Sequence, residues 1–113
     1  MRDTVLLPHH RLMAYGAACE LLRAVRDAGV RDAHLRDQAM RAAKSACLNC
    51  AEGAARVTRA DKARAFAIAR GEAGEAAAAV EIAAMCGAAA PGDAERVARR
   101  ADRVVALLTP LVR

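Results

Sequence analysis

The chain has 113 residues, enough for one hydrophobic core and too few for two. Its hydrophobic fraction is 56%, yet alanine supplies much of it, with a single Phe (Phe66), a single Tyr (Tyr15) and no Trp, so the core is thin and invites self-association. The net charge is +5, with sixteen arginines against Lys44 and Lys62, which favours partners bearing phosphate or carboxylate; no uncharged apolar run reaches the roughly 18 residues of a membrane span.

Pro8 suits a first helical position. Leu12, Tyr15, Cys19 and Leu22 recur at three- and four-residue steps beside Ala14, Ala18, Leu21 and Val25, which predicts a first helix over 8–28 stopped by Gly29. Asp32 can cap a second helix over 32–57, with Leu35, Ala39, Met40, Ala43, Ala46, Cys47 and Cys50 on its apolar face. Thr58 and Asp61 resemble a capping box at the start of a third helix over 59–86. Its inner face carries Phe66, Ala69, Ala73, Ala77, Val80 and Ala84, and Gly87 is its stop. The segment Ala88-Ala89-Ala90-Pro91-Gly92-Asp93 reads as the last turn. Val97, Ala101, Val104, Leu108 and Leu111 follow a four-three spacing, the seam of a fourth helix over 93–112 that Pro110 should kink or end. Nothing reads as a strand. The expected fold is all-α, a single domain over 1–113 folded as an antiparallel up-and-down four-helix bundle.

The most apolar stretch, 76–90, is interrupted by Glu81, and no apolar run follows a basic N-terminal stretch as in a signal peptide. The protein is expected to be cytoplasmic, without a membrane partner and with Cys19, Cys47, Cys50 and Cys86 reduced. Cys47 and Cys50 form a C-x-x-C. A structural zinc site would need a second pair, and a redox motif would open a helix after a strand; this pair lies mid-helix, so the cysteines read as small core residues. His9, His10 and His34 read as solvated or capping histidines. With no H-E-x-x-H, no glycine-rich phosphate loop and no Ser/His/Asp pattern, neither enzymatic activity nor a metal or other cofactor is expected.

The unusual stretch is polar. Ser45, Asn49, Glu52 and Arg56 fall on one stripe of the second helix, with Gly53 inside it, where it costs up to about 1 kcal/mol against Ala. Arg70, Gly71, Glu72, Gly74 and Glu75 form a second glycine-bearing polar patch on the third helix. On antiparallel neighbours these patches would meet, which predicts a network in which Arg70 is partly buried, pairs with Glu52 or Glu75, and holds the bundle together.

The run Ala46-Cys47-Leu48-Asn49-Cys50-Ala51-Glu52-Gly53-Ala54-Ala55-Arg56 resembles the S-I-x-N-I-A-E-G-x-x-R signature of the four-helix proteins encoded in 23S ribosomal RNA intervening sequences. Ala69-Arg70-Gly71-Glu72-Ala73-Gly74-Glu75 resembles that family's A-R-G-S-x-x-E segment, at the expected distance. The two matches lie within about residues 41–83; Glu72 stands where the family usually has Ser, and Cys50 fills an apolar position. The resemblance makes Asn49, Ala51, Glu52, Gly53, Arg56, Arg70, Gly71 and Glu75 the structural motif. It implies a four-helix bundle, a ring-shaped homopentamer, and kinship with accessory proteins of diversity-generating retroelements, which are basic, bind nucleic acid and associate with a reverse transcriptase.

The expected function is therefore a non-catalytic oligomer associated with RNA or DNA, with a protein-only assembly scaffold as the alternative. Two basic groups are the candidate phosphate contacts: Arg96, Arg99, Arg100 and Arg103 on the solvent side of the fourth helix, and Arg59, Lys62 and Arg64 at the start of the third. With so few aromatics to stack on bases, binding should be electrostatic and tolerant of sequence.

Overall fold

The computed structural model describes residues 5–113, and among these there is no strand. A short 3-10 turn, Pro8–Arg11, precedes four helices: α1 (Met13–Asp27), α2 (Ala33–Ala55), α3 (Arg59–Met85) and α4 (Pro91–Leu108); a second 3-10 turn, Thr109–Leu111, closes the chain.

The expected first helix is thus broken. Leu12 is extended, with φ −91° and ψ 117°, and separates the 3-10 turn from α1. The turn is held by His10, whose Nδ1 accepts from the Leu7 N–H at 3.0 Å. Asp32 caps α2 as expected, its side chain accepting from the Leu35 N–H at 2.9 Å. Thr58 caps α3, accepting from the Asp61 N–H at 3.1 Å. Gly87 ends α3 at φ 76°. The Ala88 N–H reaches the Ala83 carbonyl and the Gly87 N–H reaches that of Ala84, a Schellman pattern that a left-handed glycine permits. The fourth helix starts two residues before the expected Asp93. Pro91 opens it instead of belonging to the turn, because a first helical position needs no N–H donor. Pro110 ends it in the second 3-10 turn.

Contacts between helices run in opposite directions along the chain. Gly53 of α2 meets Phe66 of α3, and Glu20 of α1 pairs with Arg100 of α4. Near the other end of α4, Arg70 of α3 reaches Thr109. The two loops at one end are tied together: Arg31 donates to the Ala88 carbonyl from its backbone and to the Gly87 carbonyl from its guanidinium, both at 2.8 Å. At the opposite corner Lys62 Nζ donates to the Gly53 and Ala54 carbonyls at 3.3 and 3.1 Å, placing a cation on the negative end of α2.

The core lies between all four helices. Leu21, Leu108, Val80, Val97, Val104 and Cys50 are its largest fully buried side chains, and alanines fill most of the rest. Small side chains let the helices approach closely but bury little area each. The molecule measures 44 × 40 × 20 Å, a flattened shape that leaves much of α2 and α3 facing outward.

Candidate nucleic-acid interface

Every buried side chain in the described residues is apolar or a cysteine, so the charged candidate site residues all lie at or near the surface. On α4 the apolar seam of Val97, Ala101, Val104 and Leu108 faces inward. This rotates Arg96, Arg99, Arg100 and Arg103 outward, where all four line one surface groove of about 320 Å³. The expected grouping is therefore present. Arg96 pairs with Asp93 one turn earlier, Arg100 reaches Glu20 of α1 at 3.2 Å, and Arg99 lies 3.7 Å from Glu95. These pairs are solvent-exposed, so each holds its arginine only weakly and leaves donors for another anion. Arg103 has no carboxylate partner among the described residues.

Helix α1 widens this face. Glu20, Arg23, Ala24 and Asp27 share a groove with Arg96 and Arg100, and Arg23 shares another with Arg103. The sequence carried a sign of this, since Glu20, Arg23 and Arg26 recur at three-residue steps on the side of α1 away from its buried stripe. What it could not show is that α4 lies beside that polar side. Arg26 holds Asp27 below the usual carboxylate range through a 2.9 Å hydrogen bond, so part of the positive charge on α1 is internally matched.

The second basic group is only partly assembled. Arg59 and Arg64 are exposed. Arg64 lines a groove with Glu52, Arg56, Asp61 and Ile68. Lys62 donates to the carbonyls at the end of α2, so it caps that helix and stands apart from the exposed Arg59 and Arg64.

The polar network expected between α2 and α3 does not form as a buried cluster. Asn49 Nδ2 donates to the Ser45 carbonyl at 2.9 Å and to Ser45 Oγ at 3.1 Å, within α2. Arg56 pairs with Glu52 at 2.5 Å, also within α2. Arg70 is exposed and donates from Nε to Thr109 Oγ1 at 3.0 Å, with no carboxylate partner among the described residues. Glu75 is exposed beside Glu72, and the contact between the two carboxyls pushes the Glu75 pKa up. The physical reason is rotational: Ala69, Ala73 and Ala76 take the inward positions, and Arg70 falls just off them. Of the motif residues, Gly53 is buried and Asn49 and Ala51 are half-buried, while Glu52, Arg56, Arg70, Gly71 and Glu75 are exposed. Arg70→Ala should therefore cost no more than about 1 kcal/mol in urea unfolding, the net worth of one exposed hydrogen bond. A loss of several kcal/mol would restore the buried-network reading.

The cysteines also divide. Cys47 and Cys50 are core residues as expected, Cys19 is half-buried, and Cys86 is exposed. Burial pushes the Cys47 thiol up to about 12, aided by its contact with Cys19, and the Cys50 thiol up to about 11. The ordinary value is 9.0. The unfolded chain releases these protons first as pH rises, so this contribution to stability is complete below about pH 9 and is lost between there and about 12. Within that window unfolding free energy should fall by up to about 1.4 kcal/mol per pH unit for each thiol. Replacing Cys47 by Ala should flatten the slope; a variant with the parent's slope would rule this origin out.

Among the described residues no group of three or more His, Cys, Asp or Glu side chains is placed to hold a metal ion, and no helix is long and apolar enough to cross a membrane. The fold and its surface define a small all-helical protein with a basic outer face built on α1 and α4. Residues 12–110 match the 23S rRNA-intervening sequence protein family, and the chain belongs to it. A comparison with curated proteins gave no match.

Proposed function

We propose that the protein is a non-catalytic, self-assembling module that associates with RNA or DNA through the basic α1–α4 face. The observation that carries this reading is the gathering of Arg96, Arg99, Arg100 and Arg103 around one groove, with Arg23 alongside. Guanidinium forks suit phosphate oxygens, and backbone contacts of this kind read no sequence. Family membership agrees with it, since the family is named for an intervening sequence of 23S rRNA. A role as an RNA or DNA chaperone, or as an accessory factor to a reverse transcriptase, is compatible with such a surface.

Self-assembly has its own support. Ile68, Gly71, Glu75, Ala78, Ile82 and Met85 follow a three-four spacing along α3, and all are exposed. That is the spacing of a helix-packing seam, here without a partner inside the protomer. Leu48 of α2 is also 69% exposed. A homopentameric ring is the assembly proposed. Light scattering of the parent should give a mass of several protomers, and Ile68→Glu with Ile82→Glu should give a monomer of unchanged helicity. A monomeric parent at micromolar concentration would refute the assembly.

The rival reading, a protein-only scaffold, draws on the pairing of Arg96, Arg99 and Arg100 with Asp93, Glu95 and Glu20. Titration of the parent with RNA and duplex DNA across salt concentrations decides between them. Nucleic-acid binding predicts affinity at low salt that falls steeply with salt. No affinity at low salt would leave the scaffold.

A further inference from the structure

The only tyrosine of the chain stands at the edge of the basic face. Tyr15, in the first turn of α1, lines a surface groove of about 460 Å³ together with Met13, Gly16, Glu20, Arg23 and Arg103. Two more rings gather at it. The His9 ring centroid lies 4.7 Å from that of Tyr15 in an edge-to-face contact, the His10 centroid lies 6.3 Å from it, and the two histidines are 4.1 Å apart. His10 is exposed, and Tyr15 and His9 are half-buried, so the cluster reaches solvent. Phe66, the one remaining side chain among Phe, Tyr and Trp, is shut in the core. Arg23 and Arg103 are exposed and carry no carboxylate partner among the described residues. Glu20, the acidic residue of the groove, is paired with Arg100.

We propose that this groove is a base subsite: an unpaired base of RNA or DNA stacks on the Tyr15 ring, and Arg23 and Arg103 hold the adjoining phosphates. The inference rests on the basic α1–α4 face being the nucleic-acid interface, and it names the form of nucleic acid that face prefers, a single strand. A flat ring bordered by two guanidinium groups suits a ligand made of flat bases joined by anionic links. The arginines follow the backbone, and a stacked base adds affinity whatever its identity, because every base has a π-face. A base inside a duplex is already stacked on its neighbours and reaches a side chain only if it is unpaired or flipped out.

The ring cluster also has a structural use, since His9 ties the 3-10 turn to α1. An edge-to-face contact occupies at most one face of the tyrosine ring, and Tyr15 still contributes to the groove wall. Gly16 leaves room beside it: a Cβ built there meets nothing within 4 Å. A larger side chain at this position therefore fills the groove without a clash inside the protomer, which gives a way to block the site and leave Tyr15 in place.

The chain has no Trp, so its ultraviolet emission reports on Tyr15 alone and the test needs no substitution. At low salt, oligothymidylate and oligouridylate, the DNA and RNA arms, should quench that emission as they bind, whereas a blunt DNA duplex should bind without quenching it. Quenching by either single strand supports the subsite. Tyr15→Leu should lower single-strand affinity about tenfold, the worth of one stacked base, and leave duplex affinity unchanged. Tyr15→Phe should bind single strands as the parent does, and Gly16→Leu should lose affinity as Tyr15→Leu does, with the helicity of each variant checked by circular dichroism. Single strands that bind the parent with unchanged emission would overturn the base subsite and leave the basic face standing; so would a Tyr15→Phe variant as weak as Tyr15→Leu, which would assign the effect to the hydroxyl. If neither single strands nor duplex bind at low salt, the basic-face reading itself fails and this inference falls with it.

Discussion

Gly53→Ala should destabilise the protein even though it removes a glycine from inside a helix. A Cβ built on Gly53 would lie 2.5 Å from Phe66 Cε1 and 2.6 Å from Cδ1, well inside van der Waals contact. Phe66 is 5% exposed, so its ring cannot swing into solvent, and either it or the helix must move. Overpacking of this kind costs about 1–3 kcal/mol. Removing a helical glycine returns up to about 1 kcal/mol of propensity, which offsets the strain only in part. The expected result is a lower melting temperature, by roughly 4–8 °C for each net kcal/mol in a small domain. Gly53→Ala combined with Phe66→Leu should recover part of the loss, because a smaller side chain makes room for the methyl group. A single variant as stable as the parent would show that α2 and α3 are not locked at this point.

The glycines of α3 make the contrast. A Cβ on Gly71 or Gly74 meets nothing within 4 Å inside the protomer. In an isolated chain Gly71→Ala and Gly74→Ala should each stabilise by up to about 1 kcal/mol through helix propensity alone. Gly71 lies on the exposed seam of α3, so in an assembled protein the same substitution should weaken association while strengthening the fold. Gly53 and Gly71 thus serve two different purposes, and thermal melts read beside light scattering separate them.

The sequence made the helices legible because their signals are local. Asp32, Thr58 and Gly87 act at the positions where their chemistry suggests a cap or stop, and the four-three spacing of α4 puts Val97, Ala101, Val104 and Leu108 in the core. Boundaries set by proline were harder, since Pro91 fits both a turn and a first helical position. Helix rotation was hardest. On α3 the inward and outward faces are both rich in alanine, so composition gives little contrast, and Arg70, expected to be partly buried, falls just outside the inward arc. Pairings across helices were also out of reach. That Glu20 of α1 meets Arg100 and that Lys62 turns back to α2 both depend on which helix lies beside which. The basic face of α4 was legible because it needs only one helix and its inward seam.

Replacing Arg96, Arg99, Arg100 and Arg103 together by Gln should abolish nucleic-acid binding and leave the fold intact. None of the four supports the core, since all are exposed and the seam beneath them is Val97, Ala101 and Val104. Their ion pairs are surface pairs, each worth about 0–1 kcal/mol at most, so the melting temperature should move little. The cost to binding is larger. Four phosphate contacts on a duplex give a salt slope near −3.6, which means roughly a 10²-fold fall in affinity between 50 and 200 mM salt. In a homo-oligomer each face repeats, so the loss per protomer multiplies through avidity. Arg103→Gln alone should have the largest share, because among the described residues no carboxylate pairs with Arg103 ahead of a phosphate. Arg96→Gln should have less, since Asp93 already holds that guanidinium. Fluorescence anisotropy with labelled RNA and duplex DNA reads all three variants against the parent. A quadruple variant that binds as tightly as the parent would move the interface to another face, with Arg59 and Arg64 at the α2–α3 corner the next group to replace.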